Sequence, residues 1–351
     1  MGKQILLVSP FPPSIGGVSV SVQRLYDFLR SSGFSVKRYD TGFRNRLLNT
    51  RFLKLAKLLF LPLYIFINPR FDVIHFHVSG VFSKVYISLW RRFFSGKTIF
   101  IITLHGQAQH ILESNRGRKA LECFDRIICV KRGDRMIMPD SLRSRTVEIP
   151  AFIPPVTAAD PDHTPEYLWK FLERDSFLML LNGFIICDSR FMDLYGFMDS
   201  VRLLEKLRSH GRNADLVLIV IGSGHNRECA GYLQGMKNYC LMKKLEGHVC
   251  WVENQNIELW PLLKKVHVLL RPTKSDGDAL SIREALYLGK PVISSDVVPR
   301  PEGTIIYSMK DEEDLFLKTL KLIDNYKDYV SNPGNKRINF AQKIAEQYET
   351  K

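Results

Sequence analysis

The residues best placed to do chemistry lie in one polar loop and in the helix predicted to follow it. Asp276 and Glu284 are eight positions apart, one in the loop and one on the helix, so both can face the same site. Carboxylates there would accept hydrogen bonds from ribose or hexose hydroxyls. The helix is predicted to begin near Leu280 and Ser281, and its free N–H groups could receive a diphosphate. The alternative reading makes Asp276 a turn former and Glu284 a solvated helix residue.

Two motifs in the first half also follow predicted strands. His105 comes directly after an apolar strand, and ligands of open α/β sheets bind beyond the carboxyl ends of strands. Its imidazole could hydrogen-bond a sugar hydroxyl or shuttle a proton. Gly16 and Gly17 follow the first strand, where they would let the backbone approach a phosphate, although an ordinary tight turn is the alternative. His75 and His77 lie on a strand predicted to be buried, so we interpret them as structural.

Two sheets are needed to position these motifs. Short β-rich apolar runs alternate with helical patterns along the chain, which is typical of βαβ units and parallel sheets. A segment with three prolines, residues 149–155, interrupts the alternation and predicts a semi-rigid connection. The sequence therefore predicts an α/β protein with two doubly wound domains.

The composition excludes several classes of protein. The chain has 351 residues, of which 45% are hydrophobic and 25% charged, so it is neither a disordered chain nor a fibre. Six cysteines without a C-x-x-C pair predict free thiols in a reducing cytoplasm. The longest apolar run spans ten residues, 58–67, and is broken by Pro62. A bilayer-spanning helix needs about 20, so no membrane span is predicted.

Positive charge is concentrated in the first half of the chain. Residues 1–155 contain 24 Lys and Arg against 9 Asp and Glu, a net charge of +15, and the remainder sums to −1. Five of these cations alternate with leucines and phenylalanines over residues 44–67: Arg44, Arg46, Arg51, Lys54 and Lys57. A basic, apolar helix of this kind favours contact with an anionic membrane surface. A core helix whose cations snorkel to solvent is the alternative.

The loop and helix resemble the Glu-x7-Glu region of glycosyltransferase family 4, retaining enzymes of the GT-B fold, with Asp276 in place of the first Glu. Further blocks occur in the family's order: residues 12–17, 72–75, 103–106, 149–150, 221–224 and 271–303. The resemblance implies two Rossmann-like domains facing a central cleft. Residues 1–155 would bind the acceptor and face a membrane, and residues 156–335 would bind the nucleotide sugar. Residues 336–351 would form a helix packed back on the first domain.

The resemblance also implies roles for individual residues. His105 would lie near the transferred sugar, Asp276 would read sugar hydroxyls and Glu284 would hold the nucleotide ribose. The residues predicted to bind the donor are Gly16, Gly17, Asn182, Gly183, Arg271, Lys274, Gly277, Leu280, Ser281 and Arg283. Residues 276–278 match an Asp-x-Asp pattern, but they lie in the region that resembles Glu-x7-Glu and not in a metal-binding loop. No metal ion or other cofactor is therefore expected.

One departure from the family pattern concerns the leaving diphosphate. The family carries an Arg and a Lys after the first strand of the second domain, whereas this chain has Phe184 and Tyr195 at those positions. A leaving diphosphate needs compensating positive charge. Arg271, Lys274, Arg283 or Arg190 could supply it, or the site is impaired.

The function expected is therefore sugar transfer from a nucleotide sugar to a hydroxyl of a membrane-associated glycan or lipid-linked acceptor. The enzyme would be cytoplasmic and peripheral on the inner face of the membrane, in the synthesis of cell-surface polysaccharide or glycolipid. The main alternative is a catalytically impaired subunit that binds a nucleotide or a partner transferase. A nucleic-acid-binding protein would need a recognition motif that the sequence lacks. An epimerase would need an acid–base constellation that is equally missing.

Overall fold

The structure is a computed structural model that describes thirteen parts of the chain. These are residues 3–12, 16–42, 51–68, 71–91, 94, 97–106, 108–156, 164–185, 193–223, 227–255, 257–311, 313–331 and 338–349, with the backbone alone for 51–55. The chain divides into two compact units, one of residues 1–157 with 339–351 and the other of residues 158–338.

The first unit is built on a six-stranded parallel sheet of order β2-β1-β3-β4-β5-β6. Its strands are β1 (Gln4–Ser9), β2 (Ser35–Asp40), β3 (Val73–Phe76), β4 (Ile99–Leu104), β5 (Arg126–Cys129) and β6 (Thr146–Glu148). Its helices are α1 (Gly17–Ser31), α2 (Arg51–Ile67), α3 (Val81–Arg91), α4 (Ala108–Glu113), α5 (Asn115–Leu121) and α6 (Asp140–Arg143).

Both faces of this sheet are covered. Alternate residues of β1 enter different cores, because successive strand side chains point to opposite faces. Ile5 and Leu7 pack with α1, whereas Leu6 and Val8 pack with α2 and α3. The central strands are therefore apolar at nearly every position, as expected of a buried parallel sheet.

The second unit repeats this architecture with a parallel sheet of order β12-β11-β10-β7-β8-β9. Its strands are β7 (Phe177–Phe184), β8 (Ala214–Ile221), β9 (Val249–Glu253), β10 (Val268–Arg271), β11 (Val292–Ser295) and β12 (Ile305–Tyr307). Its helices are α7 (Glu166–Leu172), α8 (Phe197–Ser209), α9 (Arg227–Met242), α10 (Leu259–Lys265), α11 (Leu280–Tyr287), α12 (Asp314–Asp324) and α13 (Tyr326–Ser331). The predicted fold class, two doubly wound parallel sheets, is confirmed.

The last helix, α14 (Phe340–Glu346), belongs to the first unit although it follows the second in sequence. Ala341 and Ile344 share a core with α1. Tyr348, just beyond the helix, is fully buried, and its hydroxyl lies 2.8 Å from Nδ1 of His75. Among the described residues, no helix is both long and apolar enough to span a bilayer.

Candidate functional site

The loop of residues 272–279 joins β10 to α11 in the second unit and holds most of the predicted donor residues. Ile282 and Ala285 anchor α11 in the core beneath the sheet. Ser281, in the first turn, and Glu284, one turn later, are both buried, with Glu284 only 3% exposed. Gly277 lies exposed in the loop. The structure thus brings the loop and the start of α11 together, as the sequence predicts.

Asp276 is the centre of an ion-pair network with two arginines. Arg271 donates from Nε and Nη2 to its two oxygens, each at 3.0 Å, and Arg300 Nη1 donates at 2.8 Å. The backbone N–H of Gly277 donates to the same carboxylate at 3.0 Å. The side chains of Arg271, Asp276 and Arg300 are 8%, 8% and 2% exposed, so the charges are almost completely desolvated.

This network gives Asp276 an electrostatic role that its position in the loop does not reveal. Burial by itself would raise the pKa of Asp276, but the Arg271 guanidinium and hydrogen bonds from both arginines hold that pKa below its usual value. Two cations share one anion, so the network carries a net charge of +1. Four donors already occupy the carboxylate, which makes it the counter-ion of the arginines. Its predicted role in reading sugar hydroxyls stays a prediction.

Arg283 forms a separate pair with Asp278. Its Nε donates to both carboxylate oxygens, at 2.7 and 2.8 Å. Burial raises the pKa of Asp278, the Arg283 charge opposes this effect, and the Asp276 charge adds to it. Arg283 therefore brings no excess charge to the loop. Lys274 is exposed and has no ion pair in the described part of the chain, whereas Arg190 lies outside it.

Tyr195 occupies the space beside Arg271. The guanidinium carbon lies 4.6 Å from the centre of the Tyr195 ring, within the range of a cation–π contact. A Cβ on Gly183 would approach this ring to 2.5 Å, so the ring requires a glycine there. The carbonyl of Asn182 accepts a hydrogen bond from Arg271 Nη1 at 3.1 Å. The amide oxygen of Asn182 is buried without a hydrogen-bond partner among the described residues.

In the first unit, His105 lies just beyond β4 and contacts a second histidine. Its Nε2 is 3.0 Å from Nδ1 of His77, which follows β3. Desolvation lowers the pKa of His105 to about 4, and the charge of Lys84 adds to this effect. Lys84 is completely buried and donates to the carbonyls of Val78 and Gly80, each at 3.0 Å. His105 is therefore neutral at physiological pH.

The two glycines after β1 lie where the sequence places them. Gly16 has an extended backbone and precedes α1, and its N–H donates to the Ser19 hydroxyl at 3.0 Å. A Cβ on Gly16 or Gly17 would meet no described atom within 4 Å. Packing within the described chain thus does not require glycine here. That both bind a donor phosphate stays a prediction.

Of the five cations in the predicted basic face, only Lys57 has a described side chain, so this face stays a prediction. Lys57 turns inward and donates to the carbonyls of Asp40 and Gly42, so it is not a free surface cation. Arg51 and Lys54 lie in the first turn of α2, and Arg44 and Arg46 fall outside the described residues. The exposed residues on the second half of the helix are all apolar: Leu59, Phe60, Leu63, Phe66 and Ile67, here called the α2 apolar face.

Sequence reasoning missed three features of these sites. Arg300, His77 and Lys84 are partners of predicted residues, and all three are buried. Arg300 lies within the block that resembles family 4, but it is 24 residues from Asp276 along the chain, so spacing gave no signal of the contact. Among the described residues, no cluster of three His, Cys, Asp or Glu side chains could hold a metal ion.

Comparison with known proteins agrees with the fold. Residues 182–308, which include the end of β7, all of β10 and α11, and Arg300, match the family described as glycosyl transferases group 1. None of the curated proteins matches the sequence.

Several solved structures share the fold over nearly the whole chain. A glycosyltransferase from Rickettsia africae has a TM-score of 0.66 and 15% identity, covering 99% of this chain and 98% of its own. An α,α-trehalose-phosphate synthase from Burkholderia xenovorans, in complex with glucose-6-phosphate, has a TM-score of 0.69 and 14% identity, covering 99% and 100%. HepE from Anabaena, in complex with UDP-glucose, has a TM-score of 0.66 and 11% identity, covering 99% of each chain.

The chain therefore has the GT-B fold that these glycosyltransferase structures share, and its residues 182–308 are similar to glycosyl transferases group 1. The chain resembles glycosyltransferase family 4, as the loop and helix of residues 271–303 indicate from the sequence.

Proposed function

We propose that this protein is a retaining glycosyltransferase that moves a sugar from a nucleotide-sugar donor to a hydroxyl of a membrane-associated glycan or lipid-linked acceptor. The bond between C1 of the sugar and the diphosphate would break, and the acceptor oxygen would bond to C1 on the same face. The acceptor proton would leave with the diphosphate. The second unit would bind the donor and the first unit the acceptor.

The Arg271–Asp276–Arg300 network is the observation that carries this proposal. A leaving diphosphate requires positive charge that is already in place before the bond breaks. The network has an excess of one positive charge, its members are held by several hydrogen bonds, and exposed Lys274 lies three residues from Arg271. These groups would replace the Arg and Lys of the family pattern. HepE, which shares the fold, was solved with UDP-glucose, so a uridine diphosphate sugar is the first donor to test.

The first experiment measures release of free nucleoside diphosphate from a panel of nucleotide sugars, with crude bacterial lipids as acceptors. Wild-type protein is expected to release diphosphate from one donor. Glu284→Gln is expected to reduce kcat/KM by about ten- to a hundredfold, since hydrogen bonds to a charged group contribute about 1.5–3 kcal/mol. Glu302→Gln, which changes an exposed carboxylate of the same matched segment, is the control and should leave the rate unchanged.

The impaired-subunit alternative predicts a different outcome of the same experiment. The aromatic side chains of Phe184 and Tyr195 stand where the family has cations, and the carboxylate of Asp276 is already occupied. A protein that binds a nucleotide in calorimetry but releases no diphosphate from any donor would support that alternative and contradict transfer.

Metal independence is also part of the proposal. Diphosphate release should therefore continue in the presence of a chelator.

The α2 apolar face supports a membrane-bound acceptor. Phe60, Leu63 and Phe66 are 65%, 55% and 87% exposed. Residues 58–67 contain no charged side chain, and Phe82 and Leu89 of the neighbouring α3 are also exposed. A contiguous exposed apolar surface of this kind marks an interaction site. We expect it to insert into the acyl boundary of a bilayer, with the lipid-linked acceptor held in the same membrane.

Vesicle flotation tests this membrane contact separately from catalysis. The double variant Phe60→Ser/Phe66→Ser is expected to lower the bound fraction at least tenfold, because burying one phenylalanine contributes about 1.5–3 kcal/mol. Leu241→Ser/Met242→Ser removes two exposed apolar side chains from the second unit and should bind like wild type. Vesicles with and without phosphatidylglycerol separate insertion from charge attraction. Equal binding by both double variants would contradict the assignment.

A further inference from the structure

Three histidines of the first unit differ in how their ring nitrogens are satisfied. His75 has hydroxyl partners on both nitrogens, Tyr348 at 2.8 Å and Thr103 at 2.8 Å. Hydroxyls can donate or accept, so they stabilise either tautomer of His75. His77 has one partner, Nε2 of His105 at 3.0 Å from its Nδ1. In the pair of His77 and His105, by contrast, the tautomer of one ring determines the tautomer of the other.

The surroundings of His77 decide where that proton lies. His77 is 5% exposed, and its Nε2 is buried without a hydrogen-bond partner among the described residues. An N–H group buried without an acceptor is costlier than a bare ring nitrogen, because orphaned donors are the rarer and more expensive case. The proton of neutral His77 accordingly sits on Nδ1, from which it donates to Nε2 of His105.

His105 must then carry its own proton on Nδ1. The neutral state of both rings is favoured, since desolvation lowers the pKa of His105 to about 4 and lowers the pKa of His77 as well. No described residue hydrogen-bonds Nδ1 of His105, and the residue remains partly exposed. The imidazole thus presents an N–H donor on its open side.

We propose that His77 is a positioning residue that fixes His105 as the Nδ1–H tautomer, so that His105 donates a hydrogen bond to an oxygen of the substrate. His105 then binds and orients a sugar or acceptor oxygen, and it does not act as a base at neutral pH. This role in sugar transfer rests on the proposed function, whereas the tautomer is a property of the protein alone.

Nitrogen-15 NMR of the full-length protein, labelled on histidine in a deuterated background, tests the tautomer directly. A His105→Gln spectrum assigns the His105 signals. Wild-type His105 is expected to show a protonated Nδ1 and an unprotonated Nε2 at neutral pH. An Nε2–H tautomer in the wild type would overturn the proposal without any variant of His77.

Two substitutions of His77 then separate positioning from packing. His77→Phe keeps the ring but removes the donor, so the two His105 nitrogen shifts should converge as its tautomers mix. His77→Asn keeps an amide donor near the position of Nδ1 and should preserve the wild-type tautomer. Tyr348→Phe removes the comparable bond to His75 and should leave His105 unchanged. An unchanged His105 spectrum in a folded His77→Phe variant would contradict the role of His77, whether or not diphosphate release is detected.

Discussion

Replacing Asp276 by Asn is expected to lower the free energy of unfolding by about 3–5 kcal/mol, the cost of removing one partner from a buried ion pair. The substitution leaves Arg271 and Arg300 almost fully buried without a counter-ion. The new amide N–H₂ group would also face guanidinium donors, because both carboxylate oxygens receive arginine hydrogen bonds. Urea unfolding followed by circular dichroism measures the loss.

Asp278→Asn is the matched control for this prediction. It lies in the same loop and is equally buried, but its partner Arg283 is 20% exposed and can be hydrated. Burial raises the pKa of Asp278, which means that its charge is less well compensated than that of Asp276. We expect a loss of about 1 kcal/mol. Equal losses in the two variants would show that Asp276 is not the counter-ion of two arginines.

The pH dependence of the Asp276 effect follows from the sign of its pKa shift. The folded-state pKa lies below the usual value of 3.8, so the unfolded chain takes up the proton first as the pH falls. The stabilisation is complete above that usual value and disappears as the pH drops through the folded-state pKa. The difference between wild type and Asp276→Asn should therefore be the same at about pH 5 and about pH 8, and should shrink in stronger acid.

The strands were the most predictable part of the fold. Parallel strands buried on both faces appear in a sequence as continuous apolar runs, so β1, β4, β7 and β8 are evident without any tertiary information. Short helices carry no comparable signal. Helices such as α4 and α6, with 6 and 4 residues, are shorter than two turns and show no full apolar stripe.

The candidate site was predictable only as far as local sequence defines it. The loop, the start of α11 and His105 each follow a strand, and strand ends can be located from the apolar pattern. Their partners come from distant segments: Tyr195 lies 76 residues before Arg271, and His77 lies 28 residues before His105. The order of the strands within each sheet brings these segments together. Neither the spacing of residues along the chain nor their types predict that order.

The charge of the first half illustrates the same limit. A net charge of +15 suggests a strongly cationic surface. Several of these cations instead bind backbone carbonyls: Lys57 and Lys84 do so, Arg24 donates to Ile153, and Arg145 donates to Glu122 and Phe124. A carbonyl partner leaves the formal charge in place, but Arg24 and Lys84 are buried, and Lys57 and Arg145 are half-buried. The α2 apolar face is consequently a better guide to the partner of this unit than its net charge.

Gly196→Ala is expected to lower the free energy of unfolding by about 2–5 kcal/mol, from two separate effects. Gly196 has φ of +73°, a conformation that costs a residue with a Cβ about 1–2 kcal/mol. In addition, a Cβ there would lie 2.2 Å from the carbonyl oxygen of Pro272, which cannot move without the loop that carries Asp276. Such overpacking costs about 1–3 kcal/mol.

Gly211→Ala separates these two effects. Gly211 follows the other end of α8 with nearly the same φ, +72°, but a Cβ there would meet no described atom within 4 Å. Gly211→Ala should lower the free energy of unfolding by only about 1–2 kcal/mol, the cost of the backbone strain, and should leave donor binding unchanged. Because Gly196 contacts the residue after Arg271, Gly196→Ala should also weaken binding of the nucleotide in calorimetry. An equal loss of stability in both variants, with equal nucleotide binding, would mean that the loop shifts at Pro272 without cost. Close packing between Gly196 and Pro272 would then not position the arginine network.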